Sequence, residues 1–163
     1  MTQPTKNPYP IRWLIIIMVS HMLLFLDTYT FPDQVVGVIF HKGHFFCFRF
    51  WTRARNFFRH LVRNVEKKGL SLKDLKRVYY LQGRGSFSTN RSVITAINIL
   101  SSEMDLVALD VNERFDQQHF SNYKKQVGHF LLKESLKTYQ GSKKYLKPRY
   151  EHEPNISRSK KWL

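Results

Sequence analysis

The chain has one cysteine, Cys47, among 163 residues. An internal disulfide is therefore excluded, as is a zinc site built from cysteine pairs. Acids are also scarce, with 12 Asp and Glu against 27 Lys and Arg and a formal charge of +15. No apolar run reaches the roughly 20 residues that a membrane-spanning helix needs. The longest candidate, 13–19, resumes at Met22 but is broken by Ser20 and His21 and stopped by Asp27, and no small-residue cleavage site follows it. Three nucleotide and metal signatures are missing: the GKS or GKT of a P-loop, the GxGxxG of a dinucleotide site, and HExxH. No nucleophile stands beside an evident base. His41 and His44 form an H-x-x-H without a third ligand, which is weak ground for a metal.

Aromatic residues are plentiful, at 15% with 13 Phe and 8 Tyr. Such a load of rings implies a tightly packed core or an apolar surface awaiting a partner. The positive charge is unevenly spread. Residues 49–91 carry a net +10, residues 92–123 a net −4, and residues 124–163 a net +8. Basic surface attracts phosphates through counterion release, so RNA is a natural partner class.

Residues 1–12 are polar and hold three prolines, Pro4, Pro8 and Pro10. Segment 13–19 is open to three readings: a strand added to a sheet edge, a helix on the surface, or an artefact of a start upstream of Met22. From Met22 the pattern is clearer. MLLFLD (22–27) reads as a buried strand, followed by a turn punctuated by Pro32 and Asp33. QVVGVIF (34–40) and 44–50 read as two more strands around the tight turn His41-Lys42-Gly43. Residues 53–68 have helical spacing, with Ala54, Phe57, Phe58, Leu61, Val62 and Val65 on one face and Arg55, Arg59 and Arg63 on another. Gly69 suits a C-cap, and Ser71 caps a short helix. RVYYLQ (77–82) is a fourth strand. Residues 88–103 form a second amphipathic helix with Val93, Ala96, Ile97, Leu100 and Met104 in one stripe, and LVALDV (106–111) is a fifth strand. A further helix fits 117–137, and 143–163 reads as a charged, extended tail.

The order βββαβαβ predicts a mixed five-stranded α/β sheet with helices packed on it. That is the RNase H-like lobe of the actin-like ATPase (ASKHA) superfold, here with a short helical C-terminal appendage. Between the fourth strand and the second helix lies GRGSFSTNR (83–91). Its glycines permit a sharp turn, and the helix start offers unpaired N–H groups that Ser86 or Ser88 can cap and that can otherwise hold an anion. Turn-and-cap and phosphate or RNA contact both remain open for it.

The segment LQGRGSFSTNRSVITAINIL resembles the GPGSFTGLRIG-ATAKGLA segment of the TsaB family, a subunit of the bacterial tRNA threonylcarbamoyladenosine machinery. Gly83, Gly85, Ser86, Phe87 and Arg91 match by residue, and Ser88 replaces Thr. Arg84, Thr89 and Asn90 stand where the family has Pro, Gly and Leu. LLFLDTYT is similar to the family opening ILALDTST, GLSLKDLKRVYY to its AGLSLKDLDAIAV link, and LVALDV to its next strand. KYLKPRYEHEPNI faintly resembles its closing PLYLRPP-like segment. The likeness covers 22–116 in order and spacing, and a second lobe of family size is missing.

The resemblance implies an N-terminal extension (1–21), a TsaB-like lobe (22–116), a helical remnant of a second lobe (117–142) and a basic tail (143–163). It implies a cytoplasmic, non-catalytic scaffold without a cofactor and away from membranes. Such a scaffold dimerises with the catalytic paralogue TsaD through two N-terminal helices, with the ATPase TsaE joining and tRNA as substrate. The expected interface is Phe57, Phe58, Leu61, Val65, Val93, Ile97 and Leu100, although the core alone also accounts for these stripes. Expected RNA contacts are Arg55, Arg59, Arg63, Arg84, Lys143, Lys144 and Lys147. The competing readings are a stand-alone basic RNA-binding protein and a small actin-like ATPase or kinase. Asp27, at the end of the first strand, is where kinases of the superfold place a metal-linked carboxylate; a lone Asp there also serves structure.

Overall fold

The computed structural model describes residues 21–31, 33–51, 56–83, 86–139 and 145–149. Segment 13–19, Arg55, Arg84, Gly85, Lys143, Lys144 and most of the tail therefore lie outside the described residues.

Strands β1 (Met22–Asp27), β2 (Gln34–His41) and β3 (His44–Trp51) come first. Helix α1 (Phe57–Glu66) follows, then a 3₁₀ turn at Leu72–Asp74 capped by the Ser71 hydroxyl, and strand β4 (Leu75–Leu81). Helix α2 (Phe87–Glu103), strand β5 (Val107–Asp110) and helix α3 (Phe120–Ser135) complete the lobe. The sheet order is β3-β2-β1-β4-β5. β1 pairs antiparallel to β2 and β2 antiparallel to β3, while β1–β4 and β4–β5 are parallel. This mixed, five-stranded arrangement with two helical crossovers is the RNase H-like, actin-like lobe.

The β2–β3 hairpin turns through Lys42 and Gly43, both at positive φ (48° and 79°). Two such residues give the turn whose twist suits a two-residue hairpin. The register pairs His41 with His44 and Gly37 with Phe48.

Strand alternation sorts the apolar residues onto two faces. Met22, Leu24 and Leu26 of β1 join Val35, Ile39, Val78 and Tyr80 on one face. That face is covered by Phe57, Leu61 and Val65 of α1 and by Val93, Ile94, Ala96, Ile97 and Leu100 of α2. Leu23, Phe25, Val36, Val38, Phe40, Tyr79 and Leu81 point to the opposite face and meet Tyr123, Val127, Phe130 and Leu131 of α3. Ring packing dominates there: Phe25 meets Phe115 and Phe130 edge-on at 5.3 and 5.7 Å, and Tyr79 meets Phe130 at 5.3 Å. Each large apolar side chain so buried is worth about 1.5–3 kcal/mol. Helix α3 is thus a layer on the same sheet as α1 and α2.

Two tethers close the lobe. Arg77 on β4 donates to the carbonyls of Glu134 (2.7 Å) and Lys137 (3.0 Å), which fixes the end of α3. Asn98 on α2 brackets Leu146, donating to its carbonyl (3.1 Å) and accepting from its N–H (2.9 Å). Leu146 is buried in the α1–α2 core, and Arg149 pairs with Asp110 at 3.2 Å. The described part of the tail, 145–149, is docked on the lobe through these contacts.

Gly37 is required by close approach rather than by its backbone angles. A Cβ there would lie 2.1 Å from the tip of the Phe48 ring. Gly37→Ala is expected to displace Phe48 and cost about 1–3 kcal/mol of overpacking. Urea denaturation monitors this, and an unchanged midpoint would show that the ring yields freely.

Candidate functional site

The strand-to-helix turn is organised by side chains that the primary structure scatters. Asn90, one turn into α2, is buried, and its amide oxygen accepts from the Thr28 hydroxyl (2.6 Å) and the Tyr80 hydroxyl (2.8 Å). Its amide nitrogen donates to the Gly83 carbonyl at 2.7 Å. The ends of β1 and β4, the turn and α2 are thereby held at one buried point. Gly83 faces the Tyr29 ring, where a Cβ would fall 2.3 Å from ring carbon Cδ2. Tyr29 is in turn covered by the Arg114 guanidinium, 3.8 Å from its ring centroid.

Ser86 caps α2, accepting from the Thr89 N–H at 3.2 Å, and its hydroxyl also meets those of Thr89 (2.7 Å) and Ser88 (3.1 Å). Phe87 is 44% exposed, and Ser88 and Arg91 are exposed. The described part of the turn therefore works as a joint and cap.

Asp27 is fully buried at the end of β1. Oδ1 accepts from the backbone N–H groups of Tyr29 (2.7 Å) and Thr30 (2.9 Å), and Oδ2 accepts from the Tyr123 hydroxyl (2.9 Å). Burial pushes its pKa above the ordinary 3.8, against the opposing pull of the hydrogen bonds from Thr30, Tyr29 and Tyr123. Burial, with the Asp27 carboxylate beside it, also pushes the Tyr123 hydroxyl well up. Asp27 thus shapes the loop after β1 and ties it to α3. Among the described residues no group of three His, Cys, Asp or Glu is placed to hold a metal.

The interface stripes divide sharply. Phe57, Leu61, Val65, Val93, Ile97 and Leu100 are at most 5% exposed and face the sheet. They have no surface to offer a partner. Phe58 is the exception at 45% exposed, and Ile99 on α2, which the periodicity did not single out, is 52% exposed. A helical stripe reports which face is buried, and here the sheet does the burying. Of the basic residues, Arg59, Arg63 and Lys147 are exposed, the first two on the outer side of α1. No described helix is long and apolar enough to cross a membrane.

Fold and turn together define an RNase H-like lobe of the actin-like superfold whose second crossover helix is joined through a glycine-rich turn. It is similar to the solved structure of YeaZ from Pseudomonas aeruginosa, with 21% identity over 56% of this chain and 42% of that chain and a TM-score of 0.48. It is also similar to an uncharacterized protein with similarity to peptidase YEAZ from Pseudomonas aeruginosa, with 20% identity over 56% of this chain and 43% of that one, at TM-score 0.48. A Bacteroides thetaiotaomicron protein with actin-like ATPase fold and unknown function aligns over 76% of this chain and 42% of its own, with 14% identity and TM-score 0.39. The chain spans less than half the length of these solved proteins. No family model matches the chain, and no curated protein matches it.

Two outcomes follow from the buried polar groups. Asn90→Leu leaves the Gly83 carbonyl without the amide and is expected to cost about 1–3 kcal/mol, part of which Thr28→Val with Tyr80→Phe restores by removing the stranded hydroxyls. Equal stability of Asn90→Leu and wild type in urea melts would refute the keystone role. For Asp27 the folded pKa lies above the unfolded one, so the folded state holds its proton to higher pH. Its stabilising contribution is complete below 3.8 and is lost as pH rises through the raised folded value. Asp27→Asn removes that loss, so its stability relative to wild type should climb across this window. A difference independent of pH contradicts the assignment.

Proposed function

We propose that the chain is a non-catalytic, TsaB-like partner subunit of a tRNA threonylcarbamoyladenosine complex. In this reading it docks a TsaD-type catalytic subunit on the outer face of the α1–α2 pair. The observation that carries the reading is the state of that pair: both inner stripes are spent on the sheet, yet Phe58, Phe87 and Ile99 stay 44–52% exposed on the outside, among Arg59, Arg63 and Arg91. Large apolar residues left on the outside of two adjacent helices suit a protein interface. The residue matches at Gly83, Ser86, Phe87 and Arg91 support the family, and the engagement of both Asp27 oxygens by the chain itself supports a scaffold over a kinase. TsaE and tRNA belong to the same proposal, with Arg59 and Arg63 as the RNA-facing candidates. A cytoplasmic location belongs to the same proposal.

Co-expression with a TsaD-type subunit should give a heterodimer that survives gel filtration at moderate salt. Phe58→Glu and Ile99→Glu should each weaken it by a factor of about 30 or more, as expected for interface anchors. Absence of any complex refutes the proposal. The competing RNA-binding reading expects instead a steeply salt-dependent affinity of the isolated chain for tRNA.

A further inference from the structure

Among the described residues the second sheet face is incompletely roofed. Helix α3 lies over β1 and β2 and reaches the outward row of edge strand β3 where Arg49 covers the Phe120 ring and Phe45 nears Gly128. That row comprises Phe45, Cys47, Arg49 and Trp51, opposite Phe40, Val38, Val36 and Gln34. Phe45 is 45% exposed and Trp51 66%. Strands lie about 4.8 Å apart and a helix with its side chains is about 10 Å wide, so one helix roofs roughly two strands.

Among the described residues this strip forms an open groove of about 820 Å³, and its floor is apolar: Val38, Phe45 and Cys47. Its wall is the flank of α3, where Ser121, Lys125, Gly128 and Leu132 follow one another at helical spacing. Gly128 and Ser121 keep that flank low. A Cβ on Gly128 would already touch the Phe45 ring at 3.7 Å. Leu132, 38% exposed, closes one end of the apolar floor. Lys124 and Lys125 make the rim cationic, with His129 beside them, and no acidic residue is among those that line the groove.

We propose that this groove docks an acidic amphipathic helix from a partner protein, lying beside α3 over β3. The width suits a helix, because the strip beside α3 over an edge strand is about what one further helix would roof. The charge selects the sign. Lysines flanking the trough complement carboxylates flanking an apolar stripe, whereas a second copy of a chain carrying +15 would be repelled. This docking site lies on the opposite side of the sheet from α1 and α2, so it stands or falls apart from the subunit proposed above.

Cys47 is the sole cysteine of the chain and half-buried in the groove floor, which makes it a reporter. The probe is a synthetic peptide of 16 residues, the length of α3, with leucines at helical i, i+3, i+4, i+7 spacing and glutamates between them. A second peptide of the same composition permutes the leucines out of register. On the full chain, the helical peptide should slow N-ethylmaleimide alkylation of Cys47 by about tenfold or more, with the effect fading as salt rises. Leu132→Glu and Lys125→Glu, both at exposed positions, should each weaken that protection by about tenfold while leaving thermal unfolding near wild type. The proposal is overturned if the permuted peptide protects equally, or if neither variant changes the protection. It is overturned too if Cys47 is protected without peptide in a dimer seen by sedimentation, or if anionic vesicles protect it as well as the peptide does.

Discussion

Strand β1 must be covered on both sides, and the rest of the lobe follows from that. All six of its residues are between 0 and 1% exposed, including the carboxylate-bearing Asp27. A strand of alternating sidedness can be so buried only at the centre of a sheet with a layer on each face. Helices α1 and α2 supply one layer as the crossovers to β4 and β5, and α3 supplies the other. The polar end of β1 is then solved locally. Asp27 takes two backbone N–H groups and the Tyr123 hydroxyl, and Thr28 joins the Tyr80–Asn90 network. One strand end therefore anchors α3 through Tyr123 and α2 through Asn90.

Much of this was legible in the chain before any coordinates. Apolar, β-branched runs between turns located the five strands, helical spacing located the three helices, and the order βββαβαβ defined the lobe. The limit was in what periodicity measures. It identified Leu61, Val65, Val93 and Ile97 as a buried stripe without saying whether sheet or partner buries them. Phe57 and Phe58 are adjacent in sequence, yet one is 5% and the other 45% exposed, because α1 turns Phe57 onto Phe50 and the core. Nor does local pattern assign α3 to a face, because that depends on contacts with β1 and β2, roughly a hundred positions away along the chain.

The candidate site was harder still. The turn at 83–91 was visible as a motif, but its physical keystone was a residue that departs from the motif. Asn90 stands where the TsaB segment that this turn resembles has Leu, and it bonds Thr28 and Tyr80, some 62 and 10 positions distant. Such compensation is a property of three residues at once and no single segment displays it. Likewise nothing in the charged, extended reading of 143–163 signals that Asn98 brackets the Leu146 backbone and holds it against α2.

The lobe divides into an inner framework of hydrogen-bonded polar groups and packed rings, and an outer α1–α2 face where Phe58, Phe87 and Ile99 remain exposed. Amide hydrogen exchange on the full chain, with and without a TsaD-type subunit, tests that division directly. Added protection is expected to concentrate in α1 and α2, with the sheet and α3 unchanged. Protection appearing only along α3 and β3, or none anywhere at saturating partner, would contradict it.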